Sequence, residues 1–243
     1  MKAILMAAGR GTRISRHIDG KPKCTVLLGD GTTLIEHSVD QLVSKGVDRI
    51  VLVLGYRGEI IRQTLGDRPV TYRQNPFYDV TNSIASLWFA QDELEGDDHY
   101  ILMNGDVFLS SEAIDLILAE KRSPALFYDV TRRAEADYKF FCDGERLVKY
   151  GKELSLEETT GEYIGCASFD GHFAAEFRNR LQELVEAQQH TLWWENVLYS
   201  MADERPIIAR DVAGAFWGEV DYIEDYERIV KYFGEHHSLA IAG

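Results

Sequence analysis

Basic charge, cysteine and proline are scarce in this 243-residue chain, and long apolar runs are missing. Lys and Arg total 26 against 40 Asp and Glu, a formal net charge of -14, so the chain has no broad basic footprint for nucleic acid or an anionic membrane. The three cysteines, Cys24, Cys142 and Cys166, are far apart and form no CxxC pair. Neither a disulfide framework nor a zinc site is indicated, and reduced thiols are expected. After Met1 and Lys2 only six apolar residues follow before Gly9, too few for a signal-peptide core, and no later stretch approaches membrane-span length. A cytoplasmic protein is expected. Linkers rich in Pro and Ser, low-complexity tracts and internal repeats are also lacking, which leaves one domain over 1–243.

With 45% hydrophobic residues the chain can bury a full core. Strand-like runs at Ala3–Met6, Ile50–Leu54, Val70–Tyr72 and Tyr100–Met103 alternate with helical stretches. One helix is expected after Thr33 as its cap, running to Lys45 with Gly46 beyond it; a short one follows Tyr56, and a third spans Asn82 to Leu94. This alternation predicts an α/β fold, a Rossmann-like three-layer sandwich with a mostly parallel (mixed) sheet, where ligands sit beyond the carboxyl ends of the strands. Further on, Asp143-Gly144 between Tyr138–Cys142 and Arg146–Tyr150 predicts a tight hairpin. That hairpin is expected to form a small β lobe with Tyr163–Phe169, and Gly171–Ala187 and Tyr222–Phe233 to be amphipathic helices.

The most informative segment is AILMAAGRGTR, Ala3 to Arg13, with KPK at Lys21 to Lys23. Gly9 and Gly11 let backbone N–H groups approach an anion, and Arg10, Arg13, Arg16, Lys21 and Lys23 make one positive island in an acidic protein. It is not a Walker loop, because Ile14 and Arg16 stand five residues after the two glycines, and it is not a dinucleotide fingerprint, because Ile14 replaces the third glycine. The order of strand, AAGRGTR and Pro22-Lys23 resembles the signature of nucleotidyltransferases, which join an NTP to a small phosphorylated molecule. The resemblance implies a nucleotide-diphospho-sugar transferase-like fold. It also implies that Ala7, Ala8, Gly9, Gly11, Thr12 and Arg13 touch the nucleotide, and that Lys23 and Arg13 act on its phosphates.

Such a reaction brings several anions together and calls for a divalent metal, for which Mg2+ with carboxylate ligands is the expected cofactor. Asp106, behind the apolar run and Asn104-Gly105, is placed as one ligand, and Asp221 in WGEVDYIEDY is the second candidate; both match the metal aspartates of related transferases. Glu219 and Asp225 stand as less favoured substitutes.

The segments NPFYDVTNSIASLWFA (Asn75 to Ala90), GEYIG around Glu162 and EVDYIEDY together resemble the phosphocholine cytidylyltransferase group and its neighbours that activate inositol phosphate or aminoalkylphosphonates. The expected partners are therefore CTP and a small phosphorylated or phosphonate substrate, with a homodimer left open. The same resemblance puts Asn82 and Ser83 near the base and ribose, unless Asn82 only caps the helix behind it, and adds Asn104 and Gly105 to the nucleotide site. It puts Lys139 and Lys152 on the acceptor's phosphate, though either reads equally as a strand-edge lysine. Glu162, Tyr163, Trp194, Glu195 and Trp217, with Trp193, are candidates for the acceptor's other end, as an aromatic cage or as ordinary core. The Gln-x-x-Pro-x-Gly-Leu-Ala pattern of sugar-1-phosphate members is absent, so a UTP- or dTTP-dependent sugar enzyme is the rival. A glycosyltransferase would be expected to show an Asp-x-Asp triplet, and none occurs. A non-catalytic nucleotide-binding module would not need both acids.

Overall fold

The aliphatic stretch after Met1 becomes the central strand of a nine-stranded mixed sheet. The computed structural model describes residues 1–11, 13, 14 and 18–240, the last four by backbone alone. Thr12 and Arg16, both expected near phosphate, lie outside the described residues. In chain order the elements are β1 (Lys2–Ala7), α1 (Leu34–Ser44), β2 (Arg49–Leu54), α2 (Gly58–Leu65), β3 (Val70–Gln74), α3 (Ser83–Trp88), β4 (His99–Asn104), β5 (Val107–Leu109), α4 (Ser111–Ala119), β6 (Ala125–Asp129), β7 (Lys139–Asp143), β8 (Arg146–Gly151), β9 (Gly161–Asp170), α5 (Gly171–Glu186), α6 (Asn196–Tyr199), β10 (Ile208–Asp211), β11 (Trp217–Glu219) and α7 (Ile223–Ala240).

Strand order is β3-β2-β1-β4-β9-β6-β10-β8-β7, with β1 to β4 all parallel and β9 antiparallel to both its neighbours. Side chains of β1 alternate between two cores. Ile4 and Met6 pack with α3 and α5, whereas Ala3 and Leu5 pack with α1, α2 and α4. Helices thus cover both faces, as the strand–helix alternation requires. The start of α1 follows the capping-box rule: Thr33 N–H donates to Glu36 Oε2 at 2.9 Å and the Thr33 hydroxyl accepts from Glu36 N–H at 3.3 Å. Among the described residues no helix is long and apolar enough to cross a membrane.

Two expectations are corrected. The helix expected over Asn82 to Leu94 ends at Trp88, and a separate 3-10 turn, Gln91–Leu94, turns Glu93 inward, where Lys2, Arg49 and Arg73 from three adjacent strands hold its carboxylate. Tyr163–Phe169 does not belong to a separate lobe. It lies within β9, whose length pairs with β4 and β6 inside the main sheet, and only Gly161 and Glu162 pair with the hairpin strand β7. The pairings β9-β6-β10-β8-β7 therefore return to β9.

Candidate active site

A cleft of about 560 Å³ opens beyond the carboxyl ends of β1 and β4. Its floor is the glycine loop. Gly11 has φ +61, and a methyl group there would stand 2.2 Å from Lys23 Cγ, so the turn and the passage of the lysine stem both need a bare α-carbon. Gly9 is different. It has no positive φ, and a methyl group would meet nothing within 4 Å, so no contact within the protein demands its bareness.

Lys23 reaches from the short turn after Pro22 into a nest of acids. Its Nζ donates to Asp106 Oδ2 at 3.3 Å and, by a very short contact, to Asp221 Oδ1, while Arg13 Nη1 donates to Asp221 Oδ2 at 2.5 Å. Burial would lower the Lys23 ammonium, but Asp106 and then Asp221 outweigh it and hold the group above its ordinary value. Burial likewise works against the Asp221 carboxylate, yet Lys23 and Arg13 keep it below the usual range. A third acid completes the group: ligand oxygens of Asp106, Glu219 and Asp221 lie within 4.8 Å of one another. Burial first, then Asp106 and Asp221, push Glu219 well above the ordinary carboxyl range. Glu219 was only a substitute in the sequence reading. Its signal was its spacing from Trp217, two residues along β11, which puts both side chains on the face lining the cleft.

Asn82 caps α3 with its side-chain carbonyl, accepting from Ser83 N–H at 2.8 Å, and also lines the cleft. Ser83 lines the cleft while its hydroxyl accepts from Trp194 N–H at 3.0 Å. Fully buried Asn75 braces this rim, donating to Thr81 Oγ1 and Ser86 Oγ and accepting from Phe77 N–H. Ala8, Tyr78 and Thr81 complete that side. Ala7 and Gly105 instead line a smaller recess of about 90 Å³ that shares Gly9, Lys23 and Asp106 with the cleft. A methyl on Gly105 would stand 2.8 Å from the Met6 carbonyl, so this glycine serves the close approach of β4 to β1. Asn104 lines the cleft but its amide is engaged, accepting from Trp194 Nε1 at 2.8 Å and donating to Glu195 at 3.4 Å.

Two residues expected to meet the acceptor do not reach the cleft. Lys139 Nζ donates to the carbonyls of Lys152 and Leu154, at 3.1 and 2.8 Å, because the loop after β8 folds back over it. Trp194 is fully buried, with its indole spent on Asn104. The wall contains instead Lys152, paired with Asp137 at 2.7 Å, and Glu162, which accepts from Arg132 Nε at 2.7 Å and from Asp137 N–H at 2.8 Å. Glu195 is buried beside Tyr163, whose hydroxyl donates to it at 3.4 Å; burial, opposed by the bonds from Asn104 and Tyr163, pushes its carboxyl up to about 7. With Trp194 turned inward, the cleft keeps Trp193 and Trp217 of the three expected tryptophans, together with Tyr163 and Glu195. Arg132 lies 5.6 Å from the Trp217 ring and Lys152 lies 5.8 Å from the Trp193 ring, so the protein's own cations already approach these aromatic rings. Arg132 and Arg228, which also line the cleft, were missed in the sequence because nothing local distinguishes them from surface arginines.

The model of the MobA-like NTP transferase domain matches residues 3–207. The choline-phosphate cytidylyltransferase of Streptococcus pneumoniae is 24% identical over 239 residues, 94% of this chain and 96% of its own length. The 2-aminoethylphosphonate cytidylyltransferase of Lancefieldella rimae is 27% identical over 227 residues, 92% of this chain and 89% of its own. Among solved structures, the inositol-1-phosphate CTP transferase from T. maritima superposes with a TM-score of 0.77 at 22% identity, covering 97% of this chain and 96% of that one.

Proposed function

Since the chain belongs to the MobA-like NTP transferase domain family, we propose that it is a cytidylyltransferase, coupling CTP to a small molecule that bears a phosphate or phosphonate and releasing pyrophosphate. The observation that carries this reading is the convergence of the glycine loop, Lys23, Asp106, Glu219 and Asp221 on one cleft. Relatives that share most of the chain's length use CTP with acceptors of this type. A cytoplasmic location goes with this reading.

An acceptor oxygen attacks the α-phosphorus in line; a new P–O bond forms, the α–β bridging P–O bond breaks, and pyrophosphate carries away the electron pair. The nucleophile is already anionic, so no general base is needed, and catalysis rests on positioning and on neutralising charge. Lys23 approaches the α-phosphate and the incoming oxyanion. Arg13 and the amides of the glycine loop hold the departing phosphates. Bare Gly9 lets the triphosphate lie against the backbone, and Asn82 offers an amide edge to the pyrimidine. Lys152, whose charge acts on Asp221, orients the acceptor's phosphate from the opposite wall. Asp106, Glu219 and Asp221 offer oxygen donors only, a set that fits magnesium, and they would hold it. Bound there, magnesium supplies Lewis-acid neutralisation of the α-phosphate.

The test is pyrophosphate release from each of the four NTPs against phosphocholine, 2-aminoethylphosphonate, glycerol phosphate, inositol phosphate and glucose 1-phosphate. CTP with a non-sugar acceptor should give the highest turnover. Preference for UTP or dTTP with glucose 1-phosphate would transfer the protein to the sugar branch.

A further inference from the structure

All but one of the cations lining the cleft are matched to a carboxylate. Arg13 and Lys23 meet Asp221, Lys152 meets Asp137, and Arg132 meets Glu162. Arg228, on the second turn of α7, makes no ion pair among the described residues. Its Nη1 donates to the Trp217 carbonyl at 2.9 Å, and its guanidinium lies 4.9 Å from the Phe216 ring. Room for it is provided by Gly218, where a methyl group would stand 2.9 Å from Nη2. Arg132 flanks the same tryptophan from its ring side. Burial, and then Arg132 itself, work against the charge on Arg228. In a chain of net charge -14, a half-buried guanidinium that forms no ion pair among the described residues, near a second guanidinium, has the chemistry to receive an anion.

Its place in the cleft says which anion. Arg132 pairs with Glu162 and Glu135, and among the described residues neither arginine forms an ion pair with Asp106, Glu219 or Asp221; Lys23 and Arg13 hold Asp221 instead. The arginine pair therefore stands away from the point of attack, at the end of the cleft left to the acceptor's remainder. There, Trp217 is already approached by Arg132, which disfavours a cationic head against that ring.

We infer that Arg228, with Arg132, reads a carboxylate on the acceptor, so that the preferred acceptor is a phosphorylated carboxylic acid and not a phosphorylated alcohol with a cationic head. The inference rests on the cytidylyltransferase reading. Two matched pairs test it: O-phosphoserine against O-phosphoethanolamine, and 3-phosphoglycerate against glycerol 3-phosphate, each with CTP and magnesium. The carboxylate member of at least one pair should show kcat/KM higher by about tenfold or more, the worth of one charge-assisted hydrogen bond. Arg228→Gln should collapse that ratio mainly through KM, and Arg228→Lys should keep part of it. Equal use of both members of each pair by the wild type overturns the inference, as does a variant that slows both members in the same proportion. Isothermal titration of the same pairs without nucleotide separates the two failures. A carboxylate preference in binding with no pyrophosphate from CTP would leave the subsite standing and remove the cytidylyltransferase reading; turnover with CTP but no preference removes the subsite alone.

Discussion

Lys23→Met removes an ammonium while keeping most of its stem, and it separates two consequences of that charge. The ammonium sits 3.3 Å from Asp106 and closer still to Asp221, with the Lys23 and Asp106 side chains 14% and 22% exposed. At that separation one contact is worth about 1 kcal/mol in a water-like medium and about 5 kcal/mol at the effective dielectric of a partly buried pair. Intermediate exposure puts the value between these limits. Loss of the ammonium leaves two carboxylates facing each other, with only Arg13 still bound to Asp221. The variant should therefore unfold at lower temperature in chelator and recover most of the difference in magnesium. Titration with Mn2+ should show metal binding tightened by about tenfold to a hundredfold, since roughly 1.4 kcal/mol is tenfold and a competing cation has gone. Turnover should nevertheless fall by about 10²- to 10³-fold, the usual effect of removing one fixed donor from the charge developing in a transition state. Metal affinity equal to or weaker than wild type, or turnover within tenfold of it, would refute the claim that Lys23 shares the acids with the metal and acts on the phosphates.

Asp106→Ala should abolish pyrophosphate release and leave the far-UV circular dichroism spectrum unchanged; a near-normal rate removes Asp106 from the metal site. Gly9→Ala should fold with an unchanged melting temperature, because its methyl enters open space, but raise KM for CTP about tenfold or more. Gly11→Ala, by contrast, should destabilise by about 1–2 kcal/mol for the left-handed backbone alone and displace Lys23, which urea melts and turnover would both register. Glu195 gives a pH test. Its carboxyl ordinarily titrates at 4.5 and is pushed up to about 7 when folded, so the folded state holds the proton more tightly and stability falls as pH rises through that interval. The loss approaches about 3 kcal/mol above pH 7, and Glu195→Gln should flatten the curve; an equally steep curve in the variant would assign the dependence elsewhere.

The core of this fold was legible where local physics decides it. The run into β1, the Thr33 cap and the Asp143-Gly144 turn follow from short-range sterics and hydrogen bonding, and each stands where the pattern puts it. The stretch Val107–Asp129 was not read, because β5 is three residues long and the buried run of β6 carries no period that separates a strand from a helix. Within the site, the motifs and the family resemblance singled out Lys23, Asp106 and Asp221, which lie together in the cleft, but could not orient side chains whose partners are remote in sequence. Trp194 turns inward to Asn104, 90 residues away, and Arg228 owes its position to Gly218 and Trp217 on a different element. Lys139 is taken up by the carbonyls of Lys152 and Leu154 in the loop after β8, a fold-back that no strand alternation foretells.

The return of the strand pairings to β9 has a mechanical consequence. Both edges of the β7–β8 hairpin are tied, one to β9 through Gly161 and Glu162 and the other to β10 through Arg146, so swinging it as a flap would break ladder bonds on two sides at once. The hairpin thus holds Asp137, Tyr138 and Lys152, which flank it and line the cleft, at fixed positions, and gives that wall of the cleft its rigidity.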